Sequence, residues 1–472
     1  MEAHAGVLAA VDAFLGLPGA GGVLLGGLLT NVELWGTSLA VAVVVGGALA
    51  VGGVSRVPVV SRGSRALAYL FRTQPPLLLL YFFVYGLRGL LAGDLSPFFW
   101  AALALGLVYG ALAAGILLRA AGPSGETPTR RLVRRASLLL DLRETAVALL
   151  LATPIAYAVA VPEGLYAIAH LWGDGGNRPL LLFLLLFAFV LAAQVTLVGL
   201  QRGARILPSL RPPAPRAASQ PLRNGLLLAL VVLLWATDAH AQSRDGSDLL
   251  GSLLRWMPVV FEGFLLNVLL AVVALAIAMA SAPGLCLLAL SPKPLLGPPV
   301  RLLLPIARCL APLPLLFFGL FLFPQTLNLV GRALPLPDWL PAAIILAIPA
   351  TTALAHRLRT TVHQLPPEQW YAAGALGLDR RQSLRLVVMP QVWRRQVPFI
   401  LDLTATLVAA STLTSLVGVE EAVSLSLRIQ GDVPQPGHAM SLFGTVMLWF
   451  LLLCHPLRAL ADRVSAAQSS GV

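Results

Sequence analysis

Long apolar runs broken by short arginine-bearing links are the dominant pattern of the chain. An α-helix needs roughly 17–25 apolar residues to cross the hydrocarbon core of a bilayer. A spanning segment has to be helical, because lipid offers backbone N–H and C=O groups no partner. The runs predict helices over Leu34–Val54, Leu77–Leu91, Phe98–Leu118, Ala146–Val161 and Pro179–Leu200, then a shorter one over Gly225–Ala236. They continue with Phe261–Ala280, Leu310–Phe323, Trp339–Ala355, Val397–Val419 and Ala439–Cys454. The expected fold class is all-α, a polytopic transmembrane helix bundle of about 11 helices.

The chain also repeats itself. Ala152–Leu165 aligns without a gap on Ala410–Val423 at an offset of 258, and Gly173 falls on Gly431 at the same offset. Upstream, Arg119 matches Arg359 at an offset of 240, so the second half holds 18 extra residues in one loop. Arg72 with Pro75-Pro76 resembles Arg308 with Ala311-Pro312, each ahead of an apolar helix. Five helices per half is an odd number, so a direct junction would invert the second half. The short helix at 225–236 restores its orientation, which predicts two parallel five-helix repeats joined by one extra helix. Many five-plus-five secondary transporters are built from inverted repeats instead. The expected layout is an outer segment at 1–30, a first repeat at 31–205, a linker with the extra helix at 206–245, and a second repeat at 246–465.

Composition agrees: of 472 residues 58% are hydrophobic and 11% charged, outside the range of a water-soluble domain. The net charge of +12 comes from arginines in alternate loops, such as Arg56, Arg62 and Arg65, or Arg130, Arg131, Arg134 and Arg135. Counted as cytoplasmic, these loops place the N-terminus outside and the C-terminus inside. No basic run is interleaved with aromatic residues, so nucleic-acid binding is not expected. Cys286, Cys309 and Cys454 have neither the spacing nor the neighbours of a disulfide framework or zinc site. Arg223, an apolar run and Ala239-His240-Ala241 mimic a signal peptide, read here as a retained linking helix. Asp402, near the inner end of its helix, is expected to be hydrated or paired with Arg394 or Arg395. Glu163, Glu420 and Glu421 are expected to be solvated outer-loop residues, and His356 and His363 part of a solvated basic loop.

The polar stretch His356–Gln396 is long enough to suggest a functional loop. Small residues at Ala372, Ala373 and Gly377 suit a short helix pressed against a partner surface. Gly377 releases that helix and Asp379 caps the next, which carries Arg380, Arg381 and Arg385 on its polar side. Leu386, Val387, Val388 and Met389 lead back to the membrane, and Pro390 is expected to break that approach.

In this loop Tyr371-Ala372-Ala373, then Gly377, Val387, Met389 and Pro390, follow the spacing of the coupling motif of binding-protein-dependent ABC importers. Arg359 to Val362, Leu365-Pro366, Gln369, Pro390-Gln391, Arg394-Arg395, Pro398, Ser411-Thr412-Leu413 and Val417-Gly418-Val419 extend the likeness. In the first half Phe71–Pro75, Tyr81–Phe83 and Ser96–Phe98 do the same. The chain resembles the permease subunits of the polar amino acid (His/Glu/Gln/Arg/opine) family, in two fused copies over about Leu34 to Arg463. Tyr371 stands where the family has Glu, and Ala409-Ala410 where it usually has Lys-Asp; Gly122–Ser137 carries no such motif.

The resemblance implies a non-enzymatic permease that moves amino acids by alternating access. It implies that Tyr371, Ala372, Ala373, Gly377, Leu378, Arg380, Arg381 and Pro390 couple it to a separate ATPase dimer, with an extracytoplasmic solute-binding protein as second partner. The chain itself holds no cofactor: its one lysine, Lys293, sits among prolines and not in a phosphate-binding GxxxxGK[ST] loop. An ion-coupled secondary transporter, or a non-transporting scaffold derived from a permease, is the alternative.

Overall fold

The computed structural model describes residues 12, 19–88, 95–120, 128–173, 178–204, 249–322, 326–329, 332–432 and 436–470. The expected linking helix at 225–236, the linker 206–245 and Ala239–Ala241 lie outside them.

Helix α1, Ala20–Gly53, starts well before the expected Leu34. Pro58 opens α2, Pro58–Thr73, and Pro75-Pro76 stops it, since proline disfavours helical geometry in the residue before it. The chain resumes as α3, Pro76–Tyr81, and runs on as a π-helical turn, Phe82–Leu87, bent 106° from α2. After α4, Pro97–Ala120, and α5, Pro128–Ala152, comes a 3-10 turn, Thr153–Val159. Short α6, Gly164–Gly173, and α7, Arg178–Ala204, complete the half.

The second half repeats the order. It holds α8, Leu249–Leu290, then α9, Gly297–Ala307, and α10, Pro312–Leu322, bent by 112°. An antiparallel ribbon, β1 Thr326–Leu329 with β2 Arg332–Pro335, precedes α11, Trp339–His363. Next are α12, Pro367–Ala375, and α13, Arg380–Gln382, which passes through a π turn, Ser383–Val388, into α14, Met389–Ser411. A 3-10 turn, Thr412–Val417, α15, Ala422–Asp432, and α16, Pro436–Ser470, end the chain's described part.

Among the described residues seven helices are long and apolar enough to cross a membrane, or nine if each bent pair is one span. The chain is a multi-pass membrane protein. The amphipathic helices α2 and α9, the short α6 and α15, and the ribbon add to the helices that the apolar runs predict. Bends of 106° and 112° turn α2 and α9 away from α3 and α10, with arginines such as Arg62 and Arg301 exposed.

Close helix packing rests on small residues, as is usual where lipid supplies no hydrophobic drive. Helix α1 runs along α4 with Gly46 against Gly110, where an added Cβ would lie 2.8 Å from the Gly110 carbonyl oxygen. Helix α8 runs along α11 and buries Ala271, Ala274, Ala278, Ala282 and Cys286 completely. Tyr81, Trp100, Phe443 and Phe450 fill the interior, while Val43, Val44 and Val51 on α1 remain exposed, as a lipid-facing surface requires.

Candidate functional site

The loop between α11 and α14 is a built structure. Helix α12 starts at Pro367 and ends in a Schellman motif: the Leu378 N–H donates to the Ala373 carbonyl at 3.2 Å, and Gly377 to Gly374 at 2.9 Å. Gly377 takes φ +77°, where a side chain would be strained. Asp379 then caps α13 in a capping box, accepting from the Gln382 N–H at 2.6 Å while its own N–H donates to Gln382 Oε1 at 2.9 Å. Gln391 Nε2 donates to Gln369 Oε1 at 3.1 Å and ties α14 back to α12.

This loop presents a protruding surface. Tyr371 is 75% exposed and Leu376 80%, beside Ala372, Gly374, Ala375 and Gly377, with Arg380, Arg381 and Arg385 alongside. An aromatic ring and a leucine among small residues, rimmed by arginines, is a composition suited to a partner surface.

Two expectations change here. Ala373 is 2% exposed and faces the loop's own interior, so it supports the loop and does not belong to the outward face. Pro390 does not break the chain's return, because the helix is continuous from Arg380 to Val417. Its missing N–H falls where the ladder passes from π to α register, which spares the i−4 bond that proline would otherwise remove. Leu378 is half-buried; Tyr371, Ala372, Gly377, Arg380 and Arg381 stand together on the outside. In the first half only seven residues, outside the description, separate α4 from α5, against twenty-five between α11 and α14, a difference of 18.

A feature the sequence reading missed lies at the far end of α14 and recurs at the end of α5. Glu163 and Glu421, expected in solvent, are both completely buried; only Glu420 is exposed, paired with Arg428 at 3.0 Å. Each buried carboxylate caps a short helix. Glu163 accepts from the N–H groups of Leu165 at 2.9 Å and Tyr166 at 3.1 Å, and Glu421 from those of Val423 at 3.0 Å and Ser424 at 3.1 Å. An asparagine of the half's first helix closes each clasp. Asn31 Nδ2 donates to Glu163 at 3.0 Å and Thr153 Oγ1 at 3.1 Å, and its Oδ1 accepts from the Gly164 N–H at 2.8 Å. Asn267 Nδ2 donates to Ser411 Oγ at 2.9 Å, and its Oδ1 accepts from the Ala422 N–H at 3.3 Å.

One turn earlier Gly27 and Gly263 allow this approach: a Cβ at Gly27 would stand 2.9 Å from the Glu163 carbonyl oxygen, and one at Gly263 2.7 Å from the Ala422 nitrogen. The break before each short helix passes through a left-handed residue, Ala160 at φ 58° and Gly418 at φ 92°. The signal was present in the sequence: Gly27 and Asn31 precede Gly263 and Asn267 by 236, the spacing of Arg72 and Arg308.

Asp402 is partnered by Arg458 Nε at 3.5 Å, and not by Arg394 or Arg395. His363 is exposed as expected, whereas His356 is only partly so.

No protein-family model matches the chain. It is 33% identical over 79 residues to the arginine ABC transporter permease ArtQ of Haemophilus influenzae, covering 17% of this chain and 36% of ArtQ. It is 29% identical over 149 residues to the general L-amino acid transport permease AapQ of Rhizobium johnstonii, covering 30% and 37%. The probable glutamine ABC transporter permease GlnP of Bacillus subtilis is 23% identical over 210 residues, covering 44% of this chain and 94% of GlnP. Over parts of its length the chain is a distant homologue of the polar amino acid ABC transporter permeases. It spans little more than a third of the length of ArtQ and AapQ, at 36% and 37%, and nearly all of GlnP. A solved amino acid ABC transporter with histidines matches 46% of this chain and 98% of its own at 19% identity, with a TM-score of 0.39.

Proposed function

We propose that this protein is the permease of an ATP-driven importer, that it moves amino acids, and that it holds two permease units fused in parallel, 31–205 and 246–465. The observation that carries the importer reading is the loop Pro367–Val388: a short capped helix with an outward apolar face, in a chain homologous to ABC permeases. ATPase closure would push on such a rigid helix and tilt the attached bundle. The fusion is supported by the recurrence of both bends and both Gly–Asn–Glu clasps, and by GlnP, nearly all of which matches less than half of this chain. ATPase subunits and an extracytoplasmic solute-binding protein are the proposed partners. The arginine distribution supports an inner-membrane location with the N-terminus outside and the loop inside.

The test is a pull-down of candidate ABC ATPases by the wild-type chain and by Tyr371→Ala, Leu376→Glu and Gly377→Pro. Wild type should retain an ATPase and each substitution lose it. Retention by all three, or no ATPase captured by wild type, would overturn the role given to the loop.

A further inference from the structure

The two halves meet through one kind of contact made twice. On one side α2 and α3 lie against α16. Tyr69 Oη donates to the His455 carbonyl at 3.2 Å, Gln74 Nε2 donates to the Met447 carbonyl at 3.3 Å, and the Tyr81 ring stacks on Phe443 at 6.0 Å. Further along, a Cβ at Gly86 would stand 3.2 Å from Met440 Cα. On the other side the turn before α10, and α10 itself, lie against α7. Gln194 Nε2 donates to Cys309 Sγ at 3.3 Å, the Phe183 and Phe318 rings lie 6.3 Å apart, and Cys309 is buried with Val147 and Ala193.

These are the same surfaces. Offsets of 236 for the bent helices and 258 for the last helices carry Cys309–Gln194 onto Thr73–Leu452, and Phe318–Phe183 onto Phe82–Ser441. Both images fall within a few residues of the contacts Gln74–Met447 and Tyr81–Phe443. Each half therefore gives its bent pair to the other's last helix and receives the reverse. That is the pattern of a two-fold, isologous interface, in which i touches j and j touches i. Such an interface closes after two units, and both units are already here.

We infer that one copy of this chain is the complete two-half permease, with its translocation path between its own halves and no second copy needed to finish it. This rests on the reading of two fused permease units, and it makes α12 the one docking helix described in each complete permease.

The test uses membranes of cells making two tagged copies of the full chain, each with Cys286→Ser, Cys309→Ser and Cys454→Ser. One copy carries Gly86→Cys and the other Met440→Cys, whose Cβ atoms would be 3.3 Å apart within a chain, close to disulfide reach. Oxidation should link no copies, whereas a single chain with both substitutions should lose both thiols without doubling in mass. A covalent dimer of the two copies, or thiols that stay free in the double variant, overturns the inference. Should the substituted chains not fold, the wild-type mass in lipid nanodiscs decides: protein of 49.8 kDa supports one copy, and twice that mass overturns it. Failure to capture an ATPase would sink the importer reading without changing this mass.

Discussion

The sharpest consequence of the structure concerns Asn31 and Asn267. Asn31→Ala removes three buried hydrogen bonds, to Thr153, Glu163 and Gly164. A hydrogen bond contributes about 0.5–1.5 kcal/mol net, and side-chain bonds between membrane helices average about 0.6 kcal/mol. The loss is larger than that sum suggests, because the Gly164 N–H is left buried without its acceptor, at about 1–3 kcal/mol. Glu163 also loses a buried hydrogen-bond donor, so the expected destabilisation is about 2–4 kcal/mol. Asn267→Ala removes the bonds to Ser411 and Ala422 and leaves the Ala422 N–H buried without its acceptor, so it should cost about 1–3 kcal/mol. The assay is reversible denaturation by SDS in mixed micelles, with Glu420→Gln as control. Glu420 is exposed and its pair with Arg428 is a surface salt bridge, worth about 0–1 kcal/mol. If both asparagine variants unfold at the control's midpoint, the clasps hold nothing and the reasoning is wrong.

Other expectations follow from single positions. Ala160→Gly relieves a left-handed residue with a Cβ, so it should stabilise the chain or leave it unchanged, whereas Gly418→Ala at the matching break should cost about 1–2 kcal/mol; SDS midpoints test both. Gly377→Ala should cost about 1–2 kcal/mol locally, read as faster proteolysis of the loop with an unchanged midpoint for the bundle. Gly106→Leu should lower the yield of folded protein on size exclusion, because even a Cβ there would stand 2.5 Å from Val41 Cγ1 where α4 crosses α1. Ala373→Trp should disturb the loop's own packing as well as ATPase capture, unlike Tyr371→Ala, which should affect capture alone.

The apolar helices were legible because burial in lipid demands apolarity whatever the helical phase, and the predicted segments fall on α1, α3, α4, α5, α7, α8, α10, α11, α14 and α16, of which seven, or nine with the bent pairs, are long enough to span. Helices α2 and α9 were not, since an amphipathic helix at the interface mixes arginine with valine or leucine and has no long apolar run. The caps of the loop were readable from Gly377 and Asp379, whose side-chain chemistry is local. The clasps were not, because a glutamate after a turn reads as solvated unless its donors are known. Those donors are an asparagine more than 130 residues away and the backbone of a short helix. Ala373 and Pro390 were misjudged for a related reason: which face a nine-residue helix turns outward, and how a π turn absorbs a proline, depend on the packing of α12 against the π turn Ser383–Val388.

The 18 residues that distinguish the halves belong to the proposed coupling and to little else. They lie in the loop, while the bends, the clasps and the reciprocal contacts of the last helices occur in both halves. A half with seven residues between its third and fourth long helices still packs α1 on α4 as α8 packs on α11. The membrane bundle therefore does not need α12, the proposed docking helix, in order to close. Deleting Leu365–Gln382, which is 18 residues, would give α11 and α14 a link as short as the one between α4 and α5. The shortened chain should elute as a folded species and still form the disulfide between Gly86→Cys and Met440→Cys, yet capture no ATPase. Collapse of the bundle would mean that the loop is part of the membrane fold and that the first half is stabilised differently. Continued ATPase capture would mean that the short first-half link is itself a docking site, and the two halves would then share the coupling.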